Sequence, residues 1–564
     1  RELRADLVGR GHRFVTQSDT EVIVHLYEDR GIGCLELLNG MFALALWDRN
    51  TGSLLLARDR LGIKPLVYRA DGPALMFASE IGAILAGDDA PCELDKGALD
   101  RFFTYLYVSA PATMFHSIKK LPPGHCLIYR NGNSKVRPYW SLKLEESPSP
   151  LSREDCLEQA RGLLREAVQM RMISDVPIGA FLSGGMDSAA VVAFMSDVSS
   201  GPVKTFTIGY GEEDASYNEF AEARLVAEHF GTDHREFVLR PHVVDVLPRI
   251  LEATGEPFAD SSAIPTYLVS REARKHVTVA LSGIGGDEVF MGYPRYLGAR
   301  LSTLYARLPL WLRRNVMAPM ADRLPESTAS GALAGRAKRF IQGSLTDPVN
   351  RYLQWISYSS EEMKRALYDP AFLQSLKGCD SAVLHRSYLS AGDGSDYLRR
   401  ISHLDLMTYL PHDLLFMGDA MSMAHSLELR VPFCDHKLVE FMVALSPEQK
   451  MKGMHLKGLL KEMMRDRLPA AIMKKRKQGF MVPLGAWLQK SLRGYLRETL
   501  LSARFHERGF FNAAHVERMV DEHLQGTRLW THQLWSLLTF EVWCQHYLDR
   551  PRGVRNEMVL GGAF

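Results

Sequence analysis

Cysteine is scarce in this sequence, and its spacing excludes one common class of metal site. Seven cysteines are scattered over 564 residues, and none of them forms a C-x-x-C pair. Their odd number leaves at least one thiol outside any set of intramolecular disulfides. We therefore expect a cytoplasmic protein with reduced thiols and without a cysteine-based zinc knuckle.

Long apolar runs and an excess of charge of either sign are also missing. No run approaches the roughly 18 apolar residues of a membrane-spanning helix. The 68 Lys and Arg residues nearly balance 66 Asp and Glu residues, so the formal net charge is +2. We expect neither a membrane nor a nucleic acid as partner. The length and the ordinary composition are typical of a globular protein with two or more domains.

Residues up to about 140 have the patterns of β-strands. Arg49-Asn50-Thr51-Gly52 separates two apolar runs and predicts a hairpin. The predicted strands are residues 41–48, 53–60, 75–80 and 126–130. Residues 141–152 are rich in Ser, Pro and Glu, a composition typical of a linker. We therefore predict an antiparallel, β-rich domain over residues 1–140 and a linker over 141–152.

Beyond the linker, the pattern changes to alternating strands and helices. Ser152 and Asp155 resemble a capping box at the start of a helical pattern. The predicted strands that follow are residues 177–182, 203–208, 235–239 and 277–281. Such alternation favours an α/β fold, a doubly wound parallel sheet with helices on both faces. From about residue 300, helical patterns dominate without clear strands, so we predict a second domain over 153–564 with a helical C-terminal part.

A glycine-rich turn follows the first of these strands. Ser183-Gly184-Gly185 lies at its carboxyl end, and a helix begins two residues later. Glycine lets a ligand approach the backbone, and the helix start favours an anion. Asp187, in the first helical turn, would repel that anion unless a divalent cation lay between them. This pattern indicates a magnesium–nucleotide site, although an ordinary βα turn explains such a short motif equally well.

A second turn repeats the arrangement at another strand end. Ser282-Gly283 ends the strand 277–281, and two more glycines lead to Asp287-Glu288. The carboxyl ends of parallel strands share one edge of a sheet, where ligands bind. Two such turns, each with an aspartate, could hold one polyphosphate through a shared metal. This repetition favours the nucleotide site over two ordinary turns.

Several motifs in order along the chain resemble known enzymes. S-G-G-x-D-S closing a strand resembles the pyrophosphate loop of the ATP-pyrophosphatases. Together with SGIGGDE (282–288), SMAHSLELRVPFCDH (422–436) and KQGFMVPLGAW (477–487), it resembles the glutamine-dependent asparagine synthetases. The N-terminal part resembles the later part of that family's Ntn-type glutaminase domain, on QSDTEVI (17–23), LNGMFALALWD (38–48) and RDRLGIKPLVY (58–68).

The resemblance implies roles for individual residues. Lys457 would stabilise charge on the carboxylate that is adenylated, and Asp413 would face the acceptor substrate. Asp187 and Asp287 would bind Mg²⁺, and Asp19 would bind the ammonium group of glutamine. The residues implied to bind ATP or pyrophosphate are Leu182, Ser183, Gly184, Gly185, Asp187, Ser188, Ile208, Ser282, Gly283 and Lys477.

The implied reaction converts aspartate and ATP to asparagine through a β-aspartyl-AMP intermediate. Nitrogen would come from glutamine or from free ammonia, and a homodimer would fit the family. Joining the carboxylate to AMP creates a good leaving group and releases pyrophosphate, and cations stabilise the charge that develops in both steps.

Three departures from the family pattern leave alternatives open. Position 1 is Arg1 and not the family's nucleophilic cysteine, which leads us to expect an N-terminally truncated chain. Ile284 replaces an acidic residue thought to orient or deprotonate ammonia, and isoleucine can do neither. Met417 and Ala420 flank Asp419 where the family has basic residues. An adenylating ligase with another acceptor or nucleophile, such as a lactam-forming or polysaccharide-modifying enzyme, and a non-catalytic nucleotide-binding homologue therefore remain alternatives.

Overall fold

The structure of the protein is a computed structural model. It describes residues 2–71, 74–87, 93–144, 151–239, 242–322, 340–341, 343, 345–390, 396–475 and 482–549. The predicted linker falls partly outside these ranges, because residues 145–150 are not among them. Lys477 also lies outside the described residues.

The N-terminal part contains two antiparallel sheets. One has the strand order β1-β2-β6-β7 and the other the order β4-β3-β5. Their strands are β1 (Ala43–Asp48), β2 (Ser53–Arg58), β3 (Val67–Asp71), β4 (Ala74–Ala78), β5 (Lys119–Lys120), β6 (His125–Arg130) and β7 (Asn133–Pro138). The predicted hairpin is confirmed, since β1 pairs with β2 with Ala45 opposite Leu56.

A five-stranded parallel sheet forms the centre of the later part of the chain. Its order is β10-β9-β8-β11-β12. The strands are β8 (Ile178–Phe181), β9 (Lys204–Tyr210), β10 (Asp233–Leu239), β11 (Val279–Leu281) and β12 (Glu428–Arg430). The predicted strands up to residue 281 are therefore confirmed with shifted ends. The expectation of no strand beyond residue 300 is wrong, because β12 pairs in parallel with β11. Three residues are too short to give a period in the sequence.

Helices surround the sheets and make up most of the C-terminal part. Within the described ranges, those of eight residues or more are α1 (Glu2–Gly9), α2 (Asp19–Arg30), α3 (Lys96–Tyr105), α4 (Arg153–Arg171), α5 (Met186–Val198), α6 (Phe220–Phe230), α7 (Val243–Thr254), α8 (Ala263–Arg274), α9 (Pro294–Tyr305), α10 (Pro348–Ile356), α11 (Val383–Ser390), α12 (Tyr397–Met407), α13 (Leu415–Met423), α14 (His436–Ala444), α15 (Arg493–Leu500), α16 (Ala513–Gln525) and α17 (Thr531–Tyr547). The backbone N–H of Asp155 donates to the Ser152 hydroxyl at the start of α4, as the sequence predicts.

Two apolar cores lie against the two faces of the parallel sheet. One core combines Ala180 and Leu182 with side chains of α4, α5, α6 and α14. The other combines Phe206 and Ile208 of β9 with side chains of α7 and α8. Because successive side chains of a strand point to opposite faces, both faces of the sheet are covered, which explains its continuous apolar strands.

Helix α3 joins the N-terminal part to the C-terminal helices. The Phe103 ring centroid lies 5.2 Å from that of Phe511 and 5.9 Å from that of Phe540, both in edge-to-face geometry. In the same region, the buried Lys364 ammonium lies 2.9 Å from an Asp100 carboxylate oxygen. One core therefore includes side chains from both parts of the chain. Edge-to-face ring pairs and a paired buried charge stabilise such a junction.

Candidate active site

The candidate site lies where the strand order of the parallel sheet reverses. From β8, the chain continues to β9 on one side, whereas β11 pairs with β8 on the other side. Open α/β sheets bind ligands outside the carboxyl ends of their strands at such a switch point. The two glycine-rich turns follow β8 and β11, so the topology places both at this position.

The first turn is held by hydrogen bonds between its own side chains and backbone. The Ser188 hydroxyl donates to the Ser183 carbonyl at 2.8 Å and lies 3.0 Å from the Ser183 hydroxyl. The Gly185 N–H donates to the Ser183 hydroxyl at 3.3 Å. Gly185 is the N-cap residue of α5 and provides no side-chain acceptor, and the first N–H groups of a helix suit an anion.

A lysine approaches the first turn from the C-terminal part. A Cβ atom added to Gly184 would lie 2.9 Å from the Lys475 ammonium and 2.5 Å from the Glu222 Cβ. The same ammonium lies 2.6 Å from Glu219 and 3.2 Å from Glu222. Glycine is therefore required at position 184, and Lys475 is the described cation of the basic tract that reaches the turn.

The second turn packs directly against the first. A Cβ atom on Gly283 would lie 2.8 Å from the Ser188 nitrogen, and one on Gly286 would lie 2.7 Å from an Asp187 carboxylate oxygen. The Ser282 N–H donates to the Arg430 carbonyl of β12 at 2.9 Å, which fixes this turn to the sheet. The absence of side chains at both glycines lets the two turns meet.

Lys457 connects the two predicted metal-binding aspartates. Its ammonium lies 2.6 and 2.5 Å from the two Asp187 carboxylate oxygens and 2.6 Å from an Asp287 carboxylate oxygen. Lys457 itself has a left-handed backbone, with φ of 54°, immediately before the helix Gly458–Met464. The three residues come from separate parts of the sequence, and together they form a position for positive charge between two carboxylates.

The same position suits a magnesium ion. Mg²⁺ prefers oxygen ligands and is usually bound by one or two carboxylates together with substrate phosphates. Asp187 and Asp287 provide such a pair, and their oxygens already surround one cationic group. The residues present therefore fit the metal that the sequence predicts, with Lys457 as the cation that would face the phosphates.

Leu182 and Ile208 flank the first turn mainly through their backbone and their packing. The Leu182 N–H donates to the Phe206 carbonyl at 2.9 Å, and the Thr207 hydroxyl donates to the Leu182 carbonyl. The parallel register of β8 and β9 then places Ile208 level with Ser183. Both side chains are buried. Their side chains pack into the two cores on opposite faces of the sheet, and an adenine contact by Ile208 stays a prediction.

A group of buried carboxylates lies near the second turn. Burial raises the pKa of Asp413 well above its usual range, and the charges of Asp260 and Glu288 raise it further. Burial raises the pKa of Glu288 to about 7, although the Tyr293 hydroxyl donates a hydrogen bond to its carboxylate. A carboxyl group with such a pKa can accept or release a proton near neutral pH.

Arg295, whose charge lowers the pKa of both Asp413 and Glu288, lines a cavity of about 160 Å³. Arg295 and Tyr409 line it, and the Arg295 guanidinium lies 5.0 Å from the centre of the Tyr409 ring. The Arg295 guanidinium is also 3.0 Å from the carboxylate of buried Asp405. The other residues around the cavity are Tyr105, Tyr107, Trp355, Ile356, Ser357, Tyr358 and Thr408. The cavity is large enough for a small polar substrate, with aromatic walls and a fixed cation.

Ile284 points into apolar surroundings between the two cores. It packs against both cores, and a Cβ atom on Gly418 would lie 3.0 Å from the Ile284 Cδ1 atom. Leu429 of β12 also adjoins Gly418, at 3.2 Å from the same added atom. The side chain at position 284 is therefore part of the packing between strand and helix, which explains why an apolar residue is accommodated.

The charge of Asp419 is balanced from the N-terminal part. The Lys64 ammonium lies 2.7 Å from an Asp419 carboxylate oxygen, and Asp419 is buried. Met417 and Ala420, which flank Asp419, provide no positive charge, and Lys64 supplies a cation at Asp419. The basic tract 474–477 is a further candidate to compensate for the missing basic pair; Lys475 pairs with Glu219 and Glu222, and Arg476 and Lys477 lie outside the described residues, so this stays a prediction.

Asp19 is the predicted glutamine-binding residue, and it begins α2. Its carboxylate is exposed in the first helical turn, directly after the capping Ser18. The Ser18 hydroxyl accepts from the Thr20 N–H at 3.2 Å, which fixes this turn. The structure thus presents the Asp19 side chain at a surface, and its contact with glutamine stays a prediction.

Comparisons with known proteins show the family of this chain. The asparagine synthase family matches residues 159–545, and the glutamine amidotransferase domain matches residues 1–140. The chain belongs to the asparagine synthase family. It is therefore an ATP-dependent ligase of the asparagine synthase type. Asparagine synthetase [glutamine-hydrolyzing] 1 of Bacillus subtilis (strain 168) is 30% identical over 547 residues, which cover 96% of this chain and 83% of that protein.

Two further relatives show the range of names in this group. Asparagine synthetase [glutamine-hydrolyzing] 3 of Bacillus subtilis (strain 168) is 31% identical over 496 residues, 85% of this chain and 73% of that protein. An amidase of Penicillium rubens is 27% identical over 569 residues, 92% of this chain and 81% of that protein. Among the described residues of this chain, no helix is long and apolar enough to cross a membrane.

Sequence reasoning missed several residues of the site. Arg295 and Asp260 have no motif or spacing that marks them before the chain is folded, and Lys64 lies in RDRLGIKPLVY without any sign that it pairs with Asp419. Glu288 is visible in SGIGGDE, but its raised pKa depends on its burial, which only the folded structure shows. Lys475 is visible only as one of several adjacent basic residues, which usually form a solvated surface.

Proposed function

We propose that this protein converts aspartate to asparagine with ATP, through a β-aspartyl-AMP intermediate. The observation that carries the proposal is the Lys457 ammonium, which lies between the Asp187 and Asp287 carboxylates where the two glycine-rich turns meet. The phosphates of a nucleoside triphosphate placed there would be surrounded by helix N–H groups, the Lys457 ammonium and a magnesium ion held by the two aspartates.

In this proposal, Ser183, Gly184, Gly185 and Ser188 hold the pyrophosphate through hydroxyl and N–H groups. Asp187 and Asp287 would hold Mg²⁺, which would neutralise part of the phosphate charge when it is bound. Lys457 orients the α-phosphate and stabilises the charge that develops as aspartate attacks it. Ser282 and Gly283 contribute the opposite wall, toward the ribose or the α-phosphate.

The cavity beside Arg295 is the proposed acceptor site. The fixed Arg295 guanidinium provides a cation for an amino-acid carboxylate. Asp413, whose neutral form burial favours, is the proposed hydrogen-bond donor, although it is not among the residues that line the cavity. Glu288 then accepts the proton from ammonia, which Ile284 cannot do. With a pKa of about 7, its carboxylate can accept a proton from attacking ammonia near neutral pH. Ammonia would come from glutamine, bound with the help of Asp19, or from solution.

A second candidate is amide formation with another acceptor. The apolar packing of Ile284 favours it, because this position has no acidic group to serve ammonia. The adenylation residues would be the same, and the acceptor carboxylate or the nucleophile would differ. The relative in Penicillium rubens that is named an amidase is compatible with such a change of substrate.

The test measures pyrophosphate and AMP release from Mg-ATP with aspartate, with and without ammonium. The proposal requires aspartate-dependent pyrophosphate release, and asparagine when ammonium is added. Aspartate labelled with ¹⁸O in its side chain should transfer one label to AMP, which identifies the adenylate. Asp187→Asn should abolish release, whereas Asp197→Asn, on the exposed end of the same helix, should retain it.

The outcomes separate the candidates. Labelled AMP without asparagine would support adenylation of aspartate but contradict ammonia as the nucleophile. Pyrophosphate release with another carboxylic acid, and none with aspartate, would favour the second candidate. ATP binding without any release would contradict both and indicate a non-catalytic homologue.

A further inference from the structure

Two histidines and a glutamate come together in the N-terminal part, far in sequence from the nucleotide turns. Among the described residues, His12, His25 and Glu28 are the one group of three or more His, Cys, Asp or Glu side chains whose ligand atoms all lie within 4.8 Å. His25 and Glu28 are three residues apart on α2, so they share one helix face. His12 follows α1, where its N–H donates to the Leu7 carbonyl at 3.0 Å.

The three ligand atoms form a compact triangle. His12 Nδ1 lies 3.1 Å from His25 Nδ1 and 3.6 Å from a Glu28 carboxylate oxygen, and His25 Nδ1 lies 3.0 Å from that oxygen. Tetrahedral zinc with bonds of about 2.0–2.1 Å separates its ligand atoms by roughly 3.3 Å. Two of the three observed distances between ligand atoms are slightly shorter than this value, and the third is slightly longer.

The surrounding side chains orient the two imidazole rings. His12 Nε2 lies 2.9 Å from an Asp29 carboxylate oxygen, which fixes a proton on Nε2 and leaves the Nδ1 lone pair toward the triangle. Carboxylates that bind the outer nitrogen of a histidine in this way are typical of zinc ligands. The Phe14 ring packs edge-to-face on His25 at 4.6 Å and holds the second ring in place.

We propose that His12, His25 and Glu28 bind one zinc ion, with a water molecule as the fourth ligand. Two imidazole nitrogens and one carboxylate oxygen suit Zn²⁺ or Co²⁺ better than Mg²⁺ or Ca²⁺, which prefer all-oxygen sites. Both histidine rings are mostly buried and Glu28 is exposed, so the open side of the site faces solvent.

The ion would connect the segment after α1 to α2. This segment runs from His12 to the start of α2 and carries Asp19, the predicted glutamine-binding residue. Without the ion, its geometry rests on hydrogen bonds such as those from the Val15 and Thr16 N–H groups to Glu21, at 2.6 and 2.7 Å. Zinc would add a cross-link that closes this loop and would stabilise the folded chain, because it binds the folded site and not the unfolded chain.

The experiment uses the full chain, with any affinity tag removed and bound metal stripped by a chelator. Co²⁺ is titrated while its visible absorption is recorded, because tetrahedral Co²⁺ absorbs much more strongly than hydrated Co²⁺. Calorimetry with Zn²⁺ gives the stoichiometry in excess Mg²⁺. We expect one equivalent per chain with the tetrahedral spectrum, and a higher melting temperature with Zn²⁺.

Variants locate the ion. His25→Ala and Glu28→Gln should weaken binding at least tenfold, and Asp29→Asn should weaken it roughly 10- to 100-fold through the orienting hydrogen bond. His116→Ala, an exposed histidine of the same part, is the matched control and should bind like the parent chain. Circular dichroism checks that each variant is folded.

Two results would overturn the proposal. One is a parent chain that gives no tetrahedral Co²⁺ spectrum at one equivalent. The other is folded His25→Ala and Glu28→Gln chains that bind Zn²⁺ as tightly as the parent. Glu28→Gln is informative even if His25→Ala does not fold, since Glu28 lies at the surface.

Discussion

At the scale of single residues, Glu288 combines a buried position with an ionisable group. Its side chain is 1% exposed, and one hydrogen bond from Tyr293 offsets only part of the cost of its charge. Groups with such shifts occur often at active sites, because a pKa near neutrality suits proton transfer. The same shift has a consequence for stability, which provides a test independent of substrate.

Glu288→Gln should raise the free energy of unfolding by about 1–3 kcal/mol at pH 8. The folded pKa of Glu288 is about 7 and the usual value is 4.5, so the folded state holds a proton that the unfolded state loses between these values. Stability of the parent chain therefore falls as pH rises through this window, and glutamine removes that loss. The two chains should differ little at pH 4.5.

Denaturant unfolding at several pH values measures this difference, with exposed Glu158→Gln as the control. The same variant should lose the rise in asparagine formation around pH 7 and fall roughly 10²- to 10⁴-fold in rate. An unchanged pH profile would exclude Glu288 as the group that accepts the proton.

Lys457 is the second residue with a testable electrostatic role. Lys457→Met removes the ammonium that the Asp187 and Asp287 carboxylates share, which should cost about 3–5 kcal/mol of stability in the absence of metal. Added Mg²⁺ should then raise the melting temperature of the variant more than that of the parent. Pyrophosphate release should fall at least about 100-fold.

Thermal unfolding with and without Mg²⁺ checks the effect of Lys457→Met. Lys452→Met is the control, because the Lys452 ammonium is exposed and pairs with Glu462 at 2.8 Å. Equal Mg²⁺ responses in the parent and in Lys457→Met would contradict a metal position between the two aspartates.

At the scale of elements, the site depends on two turns that approach each other without side chains between them. Each turn follows a short parallel strand, β8 or β11, and each leads directly into a helix. The contact between them is backbone to backbone, at Gly283 and Ser188. Interiors are packed tightly, so even one additional methyl group separates such surfaces.

Gly283→Ala should therefore weaken ATP binding at least tenfold and cost about 1–3 kcal/mol of stability. The new Cβ would lie 2.8 Å from the Ser188 nitrogen and 3.0 Å from Asp187 backbone, neither of which can move without shifting the turn. Calorimetric titration with ATP measures the loss.

Gly162→Ala is the matched control for this substitution. Gly162 lies inside α4 with nothing within 4 Å of an added Cβ, so alanine should stabilise the helix by about 0.5–1 kcal/mol. ATP affinity unchanged in Gly283→Ala would show that the turns do not need this close contact.

At the scale of the whole molecule, the N-terminal and later parts share charges and a core. Lys64 and Asp419 pair at 2.7 Å, Lys120 pairs with Glu256 in the interior, and α3 packs among the C-terminal helices. Broken buried pairs are costly, because one charge stays in a medium that solvates it poorly. Asp419 also follows Asp413 by six residues, and Thr408 and Tyr409, earlier in the same stretch, line the proposed acceptor cavity.

A double-mutant cycle on Lys64→Met and Asp419→Asn should give a coupling energy of about 1–3 kcal/mol. The Asp419 side chain is 8% exposed and that of Lys64 20%, so solvent screens the pair only partly. Lys64→Met alone should also slow asparagine formation with ammonia, although Lys64 lies in the N-terminal part. Lys135→Met, exposed on β7, is the control. Additive effects of the two substitutions would contradict a direct pair.

The sequence by itself determined the succession of elements and the two turns. The alternating strands and helices predicted over 177–281 match the observed β8–β11, because apolar runs bounded by turn residues alternate with helical patterns in the sequence. Glycines and aspartates at strand ends also indicated the phosphate-binding edge, since local backbone requirements restrict which residues can stand there. The family resemblance added Lys457 and Asp413.

Only the tertiary structure decided which distant residues meet. Lys457 reaches Asp187 across 270 positions, and Lys64 reaches Asp419 across 355. β12 has only three residues, and it is a strand because it pairs in parallel with β11. The raised pKa of Glu288 and the triangle of His12, His25 and Glu28 likewise depend on burial and proximity. Such properties arise from the folded surroundings of a residue, and its neighbours in sequence do not specify them.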